Sequence, residues 1–318
     1  MAFATGFEVE CKISEWMYPD HYLRGMHSSG TVGTFGAFAA SAKLLGLSRG
    51  QLRHGFGIAA SMAAGIRCNY GTMTKPLHVG RAAENGVTAA VLAKKGFTAN
   101  QDALDGRWGF FAVHGRGVNE HKIDQGFGQT WSIVSPGVSI KPCPCGVLTH
   151  PTIDLMRKLV IENDLAPDAI DRVTVHAGSN ILEPIRYSFA HDHLEAKFCL
   201  PAQLAMVAIA RRAGKQEFSD EFVASKEMQS MQKRIHTQLD PEIEALGFDI
   251  LRSRIVIELR NGKKLEEWAD ERYRGGPNNP LSDAELEDKV RNCCDGIIPR
   301  DDRDKLIETI RNLQEIRD

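Results

Sequence analysis

The sequence predicts a mainly α-helical protein with an α+β part, and three observations support this fold class. Residues 28–97 are rich in Ala and Gly and carry apolar side chains at helical spacing. Residues 171–179 and 253–270 alternate apolar and polar positions, as half-buried strands do. The chain returns to a charged, amphipathic helical pattern over residues 283–316. A helical block is therefore expected to be interrupted by a mixed α+β block near residues 140–270.

Length and composition exclude several classes of protein. The 318 residues suit two domains, and an apolar fraction of 42% excludes wholesale disorder. With 39 Lys and Arg against 41 Asp and Glu, the net charge of −2 favours neither nucleic acid nor an anionic membrane as partner. No apolar run is long enough to span a membrane, and the first residues do not resemble a signal peptide. The odd count of seven cysteines indicates reduced thiols in the cytoplasm.

Three consecutive helices are predicted in the first block, over residues 29–45, 49–65 and 76–95. Gly46 and Gly96 end the first and third of them. Before these helices, the opening GFEVECKI is apolar and strand- or helix-like, and after them residues 101–131 suggest a short helix and long loops. The third helix carries one continuous apolar stripe at helical spacing. Its members are Val79, Ala82, Ala83, Gly86, Val87, Ala90 and Val91. Because these residues are small, they indicate tight helix packing.

The second block mixes both kinds of element. Helices are predicted over residues 149–162 and 195–214, and a strand over residues 171–179. Residues 253–270 read as a β-hairpin, because Asn261-Gly262 is a favoured two-residue turn. A linker over residues 275–282 then leads to two charged helices, over residues 283–293 and 301–316.

Proton-carrying or cationic side chains stand at three of the predicted helix starts. His27 precedes one helix, with one of the two following serines as its expected N-cap. Lys75 is expected at the cap of another, with His78 in its first turn, and His150 precedes a first-turn proline. Free N–H groups and the helix dipole make such ends suitable for anions. At least two of the three are expected to share an anion pocket, although each could instead be a separate surface cap.

The chemistry implied by this pattern is proton transfer beside a carboxylate. Removing a proton α to a carboxylate builds negative charge, which Lys75 and the helix N-termini would stabilise. One histidine would serve as the base, and a second as the acid for a leaving hydroxide. The same groups suit a dehydratase, a decarboxylase or an epimerase equally well.

Other motifs carry weaker signals. The spacing of Gly30, Gly33 and Gly36 departs from the dinucleotide fingerprint and favours helix packing. Cys143 and Cys145 lack the C-x-x-C spacing and second pair of a zinc site, so we expect neither a metal nor a cofactor. Cys145 remains an alternative nucleophile, because a nearby helix N-terminus lowers a thiol pKa.

Several segments together resemble the MmgE/PrpD family, which includes 2-methylcitrate dehydratase, cis-aconitate decarboxylase and iminodisuccinate epimerase. The resemblance covers nearly the whole chain. Its most specific part is GTMTKPLHVGRAAENGVTAAVLAKKGFTA, preceded by RGMHSSGTVGTFGAFAASAKLLGLS and GIAASMAAGI. Further matches are KPCPCGVLTHPTID, EAKFCLPAQLAMVAIA and PLSDAELEDKVRNCC.

The resemblance implies a large all-helical domain built from both ends of the chain, with a smaller α+β lid domain inserted before the C-terminal helices. The expected bounds are 1–138 for the helical domain, 139–274 for the lid and 275–318 for the returning helices. Family members extend further at the N-terminus, where helices bring an Asp and a His to the active site. The helical domain is therefore expected to be N-terminally incomplete. A cytoplasmic homodimer acting on a small polycarboxylate is implied.

Site residues also follow from the resemblance, position by position. His27, Lys75 and His150 match catalytic positions of a metal-independent active site. Substrate binding is implied for a further set of residues, namely His78, Arg81, Lys141 and Lys197. In the lid motif the family's Ser and Tyr are Cys199 and Ala202 here, and an alanine offers no hydrogen-bond donor.

The function expected on these grounds is a lyase, either a dehydratase or a decarboxylase, acting on a di- or tricarboxylate such as a 2-methylcitrate-like acid. One alternative is an epimerase or isomerase of an amino- or imino-dicarboxylate. Another is an inactive fragment or pseudoenzyme that only dimerises.

Overall fold

The computed structural model describes residues 1–123 and 128–315, which divide into two units, Met1–Val138 and Ser139–Asp318. The predicted fold class is confirmed, because the first unit is helical and the second adds a mixed sheet. In these described ranges no helix is both long and apolar enough to cross a membrane. The predicted domain bounds, including the return of the C-terminal helices to the helical domain, stay a prediction.

The first unit contains seven α-helices in its described part, with a short 3-10 helix at Arg67–Asn69. They are α1 (Ala2–Met17), α2 (Asp20–Leu23), α3 (Ser28–Leu45), α4 (Arg49–Met62), α5 (Thr74–Lys94), α6 (Phe110–His114) and α7 (Glu120–Ile123). The opening segment is thus helical, and α3 ends at Gly46, which is left-handed with φ 62°. Helix α4 ends three residues earlier than predicted, because Ala63 is extended and Gly65 takes φ 144°. Residues 124–127 of the predicted loop region lie outside the described residues.

Helices α3 and α5 pack closely through small residues, and their contact forms the centre of this unit. Phe35 and Phe38 of α3 are fully buried. A Cβ atom added to Gly86 would lie 2.5 Å from the Cβ of Ala37 and from the backbone nitrogen of Phe38. The predicted tight packing is therefore confirmed, but the apolar stripe of α5 divides between two environments. Its buried members are Ala82, Gly86 and Ala90, while Val79, Ala83, Val87 and Val91 are exposed.

In its described part, the second unit combines a four-stranded sheet with nine α-helices. Two 3-10 helices lie at Val147–Thr149 and Pro167–Ala169. The strands are β1 (Ile170–Ala177), β2 (Ile235–Leu239), β3 (Ser253–Leu259) and β4 (Lys264–Trp268), in the order β2-β1-β3-β4. The helices are α8 (His150–Glu162), α9 (Ser179–Leu182), α10 (His193–Ala196), α11 (Leu200–Ala210), α12 (Asp220–Val223), α13 (Lys226–Gln232), α14 (Pro241–Glu244), α15 (Asp283–Cys294) and α16 (Arg300–Arg311).

Strand β1 is central: it pairs parallel with β2 and antiparallel with β3, and β4 completes the predicted hairpin. Val173 of β1 stands beside Ile235 on one side and Ile257 on the other. These apolar side chains form one core with Met156 and Leu159 of α8. The predicted hairpin is confirmed, but its loop has three residues, 260–262, rather than two: the N–H of Gly262 donates to the carbonyl oxygen of Leu259 at 2.9 Å, and Gly262 takes φ 85°.

Two predictions in this unit are wrong for local reasons. The single helix expected over residues 195–214 is two helices, α10 and α11, because Pro201 has no N–H to continue a helix from α10 and instead lies in the first turn of α11, after the extended Cys199. Strand β2 was not predicted, because only its first residue, Ile235, is buried and its sequence does not alternate apolar and polar residues. At the C-terminus, α15 begins with a capping box between Ser282 and Glu285. The last helix, α16, ends at Arg311 with Asn312 as its C-cap, five residues before the predicted end at residue 316, which itself lies outside the described residues.

Candidate functional site

His27 is the N-cap of α3 and is almost completely buried. Its backbone N–H donates to the carbonyl oxygen of Gly65 at 3.0 Å, and only 4% of its surface is exposed. The cap therefore falls one residue earlier than the serines expected in that role. The edge of the ring meets Tyr70, with ring centroids 5.2 Å apart and an interplanar angle of 85°.

Lys75 and His78 lie at the start of α5, on the same side of the helix because they are three residues apart. Lys75 is the second residue of α5 rather than its cap, which is Met73. Its Nζ atom lies 5.7 Å from the centre of the Tyr70 ring. The Nδ1 atom of His78 lies 3.0 Å from the Nδ1 atom of His27. The structure thus joins two of the predicted residues directly and places Lys75 beside the same tyrosine.

The electrostatics of this cluster keep His27 neutral. Burial, followed by the nearby Lys75 and His78, lowers the pKa of His27 to about 4. Burial, followed by the proximity of Tyr22, raises the pKa of Tyr70 above its usual range. At neutral pH the cluster therefore offers an uncharged imidazole, an uncharged phenol and one lysine cation to an incoming anion.

Two glycines make room for the histidine pair. A Cβ atom at Gly30 would lie 3.0 Å from the Cβ of His78, and one at Gly65 would lie 3.3 Å from its Cγ. Gly65 also has φ 144°, a conformation that side chains rarely adopt. Gly30 belongs to the G-x-x-G-x-x-G spacing, and Gly36 of the same series packs against α1 at Gly6. The predicted packing role of this spacing is therefore confirmed.

The side chain of Arg81, a predicted substrate-binding residue, contacts other side chains of its own helix, α5. Its guanidinium group donates to Glu84 at 2.5 Å and to Asn85 at 3.4 Å, and its side chain is 55% exposed. A role for Arg81 in substrate binding stays a prediction.

A second cluster forms around His150, the first residue of α8, in the other unit. The side chain is 1% exposed, and the Tyr273 ring stands 6.1 Å away at 84°. Burial, followed by Lys141 and Lys289, lowers the pKa of His150 to about 4, while the carbonyl of Cys143 acts in the opposite direction. This cluster repeats the combination found at His27, a buried neutral histidine beside lysine cations.

Lys141 is held at the base of this cluster by backbone contacts. Its Nζ atom donates to the carbonyl oxygen of Cys145 at 3.1 Å. Lys289 of α15 donates to the carbonyl oxygen of Lys141 at 2.7 Å. Among the described residues, the hydrogen bonds of both lysine side chains thus go to backbone oxygens and not to carboxylates, and their positive charge can attract an anion.

The cysteines of this region are poorly suited to catalysis. Burial raises the pKa of Cys145 to about 12, so the thiolate needed of a nucleophile is disfavoured. The pKa of Cys143 is raised for the same reason. Within residues 1–123 and 128–315, no three His, Cys, Asp or Glu side chains are grouped so as to hold a metal ion. Every one of the seven cysteines is a free thiol.

The lid motif places its residues around the break between α10 and α11. Lys197 follows α10 directly and is half-buried. Ala202 and Cys199 are completely buried, and burial raises the pKa of Cys199 to about 12. Sequence reasoning missed Tyr70, Tyr273 and Lys289. Tyr70 could have been noticed five residues before Lys75, whereas the other two lie more than 120 residues from His150 in the chain.

Two family models and several known proteins match this chain. The MmgE/PrpD N-terminal domain matches residues 1–121, and the MmgE/PrpD C-terminal domain matches residues 143–315. Human cis-aconitate decarboxylase is 26% identical over 324 residues, covering 100% of this chain and 66% of the human protein. The mouse protein of the same name is 27% identical over 325 residues, with the same coverage. Cis-aconitate decarboxylase of Aspergillus terreus is 24% identical over 336 residues, covering 98% and 66%. The chain thus spans about two thirds of the length of these relatives.

Proposed function

The chain belongs to the MmgE/PrpD family, and on that premise we propose that it is a lyase that removes carbon dioxide from a small tricarboxylate of the cis-aconitate class. The relatives support the substrate class, because human, mouse and fungal matches are cis-aconitate decarboxylases. Among the reactions that the residues suit, decarboxylation is therefore preferred over dehydration of a 2-methylcitrate-like acid.

The observation that carries the proposal is the contact between His27 and His78 beside Lys75. A tricarboxylate needs cations to bind its carboxylates, and the reaction needs a proton donor beside them. Lys75 supplies a cation at the N-terminal turn of α5, where the helix dipole adds to its effect. His27 supplies an imidazole that stays neutral at pH 7. The second cluster, Lys141 and Lys289 around His150, offers the same combination.

The reaction assigns a role to each group. When carbon dioxide leaves, the carbon–carbon bond breaks and its electron pair stays on the remaining carbon. Lys75 stabilises the charge that spreads into a neighbouring carboxylate. An imidazole N–H of His27 or His150 then gives its proton to the carbon, which completes the product, and the ring regains a proton from solvent, so that one proton is consumed for each carbon dioxide released. Lys141 and Lys197 are assigned to substrate carboxylates, and a homodimer is the proposed assembly.

The test is to incubate the purified chain with cis-aconitate in deuterated water and to follow the products by proton NMR. We expect loss of one carboxylate as carbon dioxide and one deuterium in the product. Loss of water from 2-methylcitrate would indicate a dehydratase instead. Deuterium uptake by an amino- or imino-dicarboxylate, without loss of water or carbon dioxide, would indicate an epimerase. A monodisperse dimer without turnover of any of these acids would contradict the proposal and favour the inactive alternative.

A further inference from the structure

We propose that His78 is a positioning residue that sets which ring nitrogen of His27 carries a proton, and that a proton on His78 turns His27 into a proton donor. This reassigns His78 from substrate binding, the role that the resemblance implies. The catalytic consequence rests on the proposed function, whereas the tautomer itself does not.

The geometry of the pair allows only a few proton arrangements. The two Nδ1 atoms are 3.0 Å apart, so a single proton lies between them. When His78 is positively charged, its Nδ1–H must donate to His27, because an imidazolium has a proton on both nitrogens. His27 then accepts at Nδ1 and carries its own proton on Nε2. When both rings are neutral, the opposite arrangement is also allowed, with the Nε2 of His27 bare.

The positive charge of the pair belongs on His78 rather than on His27. His27 is 4% exposed, whereas His78 is only half-buried, and burial penalises the charged form of a side chain. The other groups facing the pair are Lys75 and Tyr70, one cationic and one neutral. Arg81, one turn further along α5, is paired with Glu84. A positive charge on His78, the more exposed of the two rings, therefore costs less free energy than a charge on His27.

The surrounding backbone contacts both histidines. The carbonyl of Gly65 holds the backbone N–H of His27, while the α-carbon face of Gly65 lies against the His78 ring. Gly30 lies against the Cβ of His78 from the side of α3. The backbone at Gly65 thus contacts both histidines, and a positioning role requires such defined contacts.

The proton balance closes over one turnover of a decarboxylase. The Nε2–H of His27 protonates the carbanion, and the Nδ1–H of His78 moves to the Nδ1 of His27. Both rings are then neutral, and the negative charge of the carbanion is gone. Water next protonates the Nε2 of His27, whose Nδ1–H returns to His78. One proton is consumed for each carbon dioxide released, and His27 is positively charged only in passing.

The direct test is nitrogen NMR of the protein labelled with 15N-histidine, titrated from about pH 8 to pH 5. Signals are assigned by their loss in His27→Gln and His78→Gln. We expect the His27 ring to shift toward the Nε2–H tautomer as His78 takes up its proton. In His78→Asn the tautomer of His27 should no longer respond to pH. The proposal is overturned if His27 keeps one tautomer while His78 titrates, or if His27 takes the charge itself.

The kcat and KM of a His78 variant provide a second test of the proposal. We expect His78→Asn to lower kcat about tenfold or more with little change in KM, because the asparagine amide can donate a hydrogen bond to His27 but cannot pass it a proton, while substrate contacts remain. A rise in KM at constant kcat would show that His78 binds substrate instead. His121→Ala, at an exposed histidine of α7, is the matched control and should leave both values unchanged. If the wild-type chain turns over no tricarboxylate, the proposed function fails, but the wild-type titration still decides the inference.

Discussion

Replacing Gly86 by alanine tests whether the close contact of α3 and α5 supports the site. The added Cβ would lie 2.5 Å from the Cβ of Ala37 and the backbone nitrogen of Phe38, and 2.6 Å from the carbonyl oxygen of Thr34. Ordinary carbon contacts begin near 3.5 Å, so the two helices must separate locally by about 1 Å. Two of these three atoms belong to the α3 backbone, which cannot move aside as a flexible side chain can.

The expected magnitude follows from two opposing effects. Overpacking of a core costs about 1–3 kcal/mol, and the upper part of this range applies because backbone atoms are struck. Alanine in a helix gains about 1 kcal/mol over glycine, which offsets part of this cost. The free energy of unfolding should therefore fall by about 1–2 kcal/mol. For a chain of 318 residues this corresponds to a fall in Tm of roughly 1.5–3 °C.

Gly80→Ala is the matched control on the same helix. No atom lies within 4 Å of a Cβ added there, and the residue is exposed. This variant should gain about 0.5–1 kcal/mol from helix propensity alone. Urea unfolding of both variants measures the contrast, and the Gly86 variant should also lose turnover, since α3 and α5 carry His27 and His78. If Gly86→Ala is as stable as Gly80→Ala, the packing argument is refuted.

Three further outcomes are expected. Because His27 and His150 have pKa values near 4 in the folded chain against 6.5 in free histidine, the unfolded chain binds more protons between these values, and stability should fall as pH drops from about 6.5 to 4. The loss is roughly 3 kcal/mol for each at pH 4, and urea unfolding at several pH values measures it; constant stability across this window would contradict both shifts. Lys75→Met should lower kcat/KM about 100-fold, whereas Lys95→Met, at the exposed end of α5, should leave it unchanged; equal losses would remove Lys75 from the site. Gly275→Ala should destabilise the second unit by about 1–3 kcal/mol, because φ is 88° and the Cβ would strike the Ile140 carbonyl oxygen; Gly262→Ala, with φ 85° and open space, isolates the cost of the backbone angle, and an equal loss would refute the clash.

The sequence predicts those features that depend on neighbouring residues. The end of α3 at Gly46 follows from the left-handed preference of glycine, and the hairpin of β3 and β4 follows from Asn261-Gly262. The cationic helix starts were visible for the same reason, since capping residues and first-turn prolines are local signals. The placement of His27 and Lys75 near helix N-termini needed no knowledge of the tertiary structure.

Features that depend on distant segments were not predictable. The contact between His27 and His78 joins residues 51 positions apart, and it exists only because glycines let α3 and α5 approach closely. Tyr273 reaches His150 through the return of the chain after β4. Strand β2 is held by pairing with β1 rather than by any pattern of its own. In each case tertiary packing determines the contact or strand, and the local sequence propensity does not predict it.

The position of β1 at the centre of the sheet has a consequence for the order of assembly. Its pairing partners, β2 and β3, begin about 60 and 80 residues later in the chain, so β1 leaves the ribosome well before either of them. Until then Val173 and Val175 lack the two strands that flank β1 in the folded unit. Contacts between segments so far apart form slowly, because the intervening loop must close first. The second unit should therefore become resistant to proteases in one late step, after β3 has been synthesised.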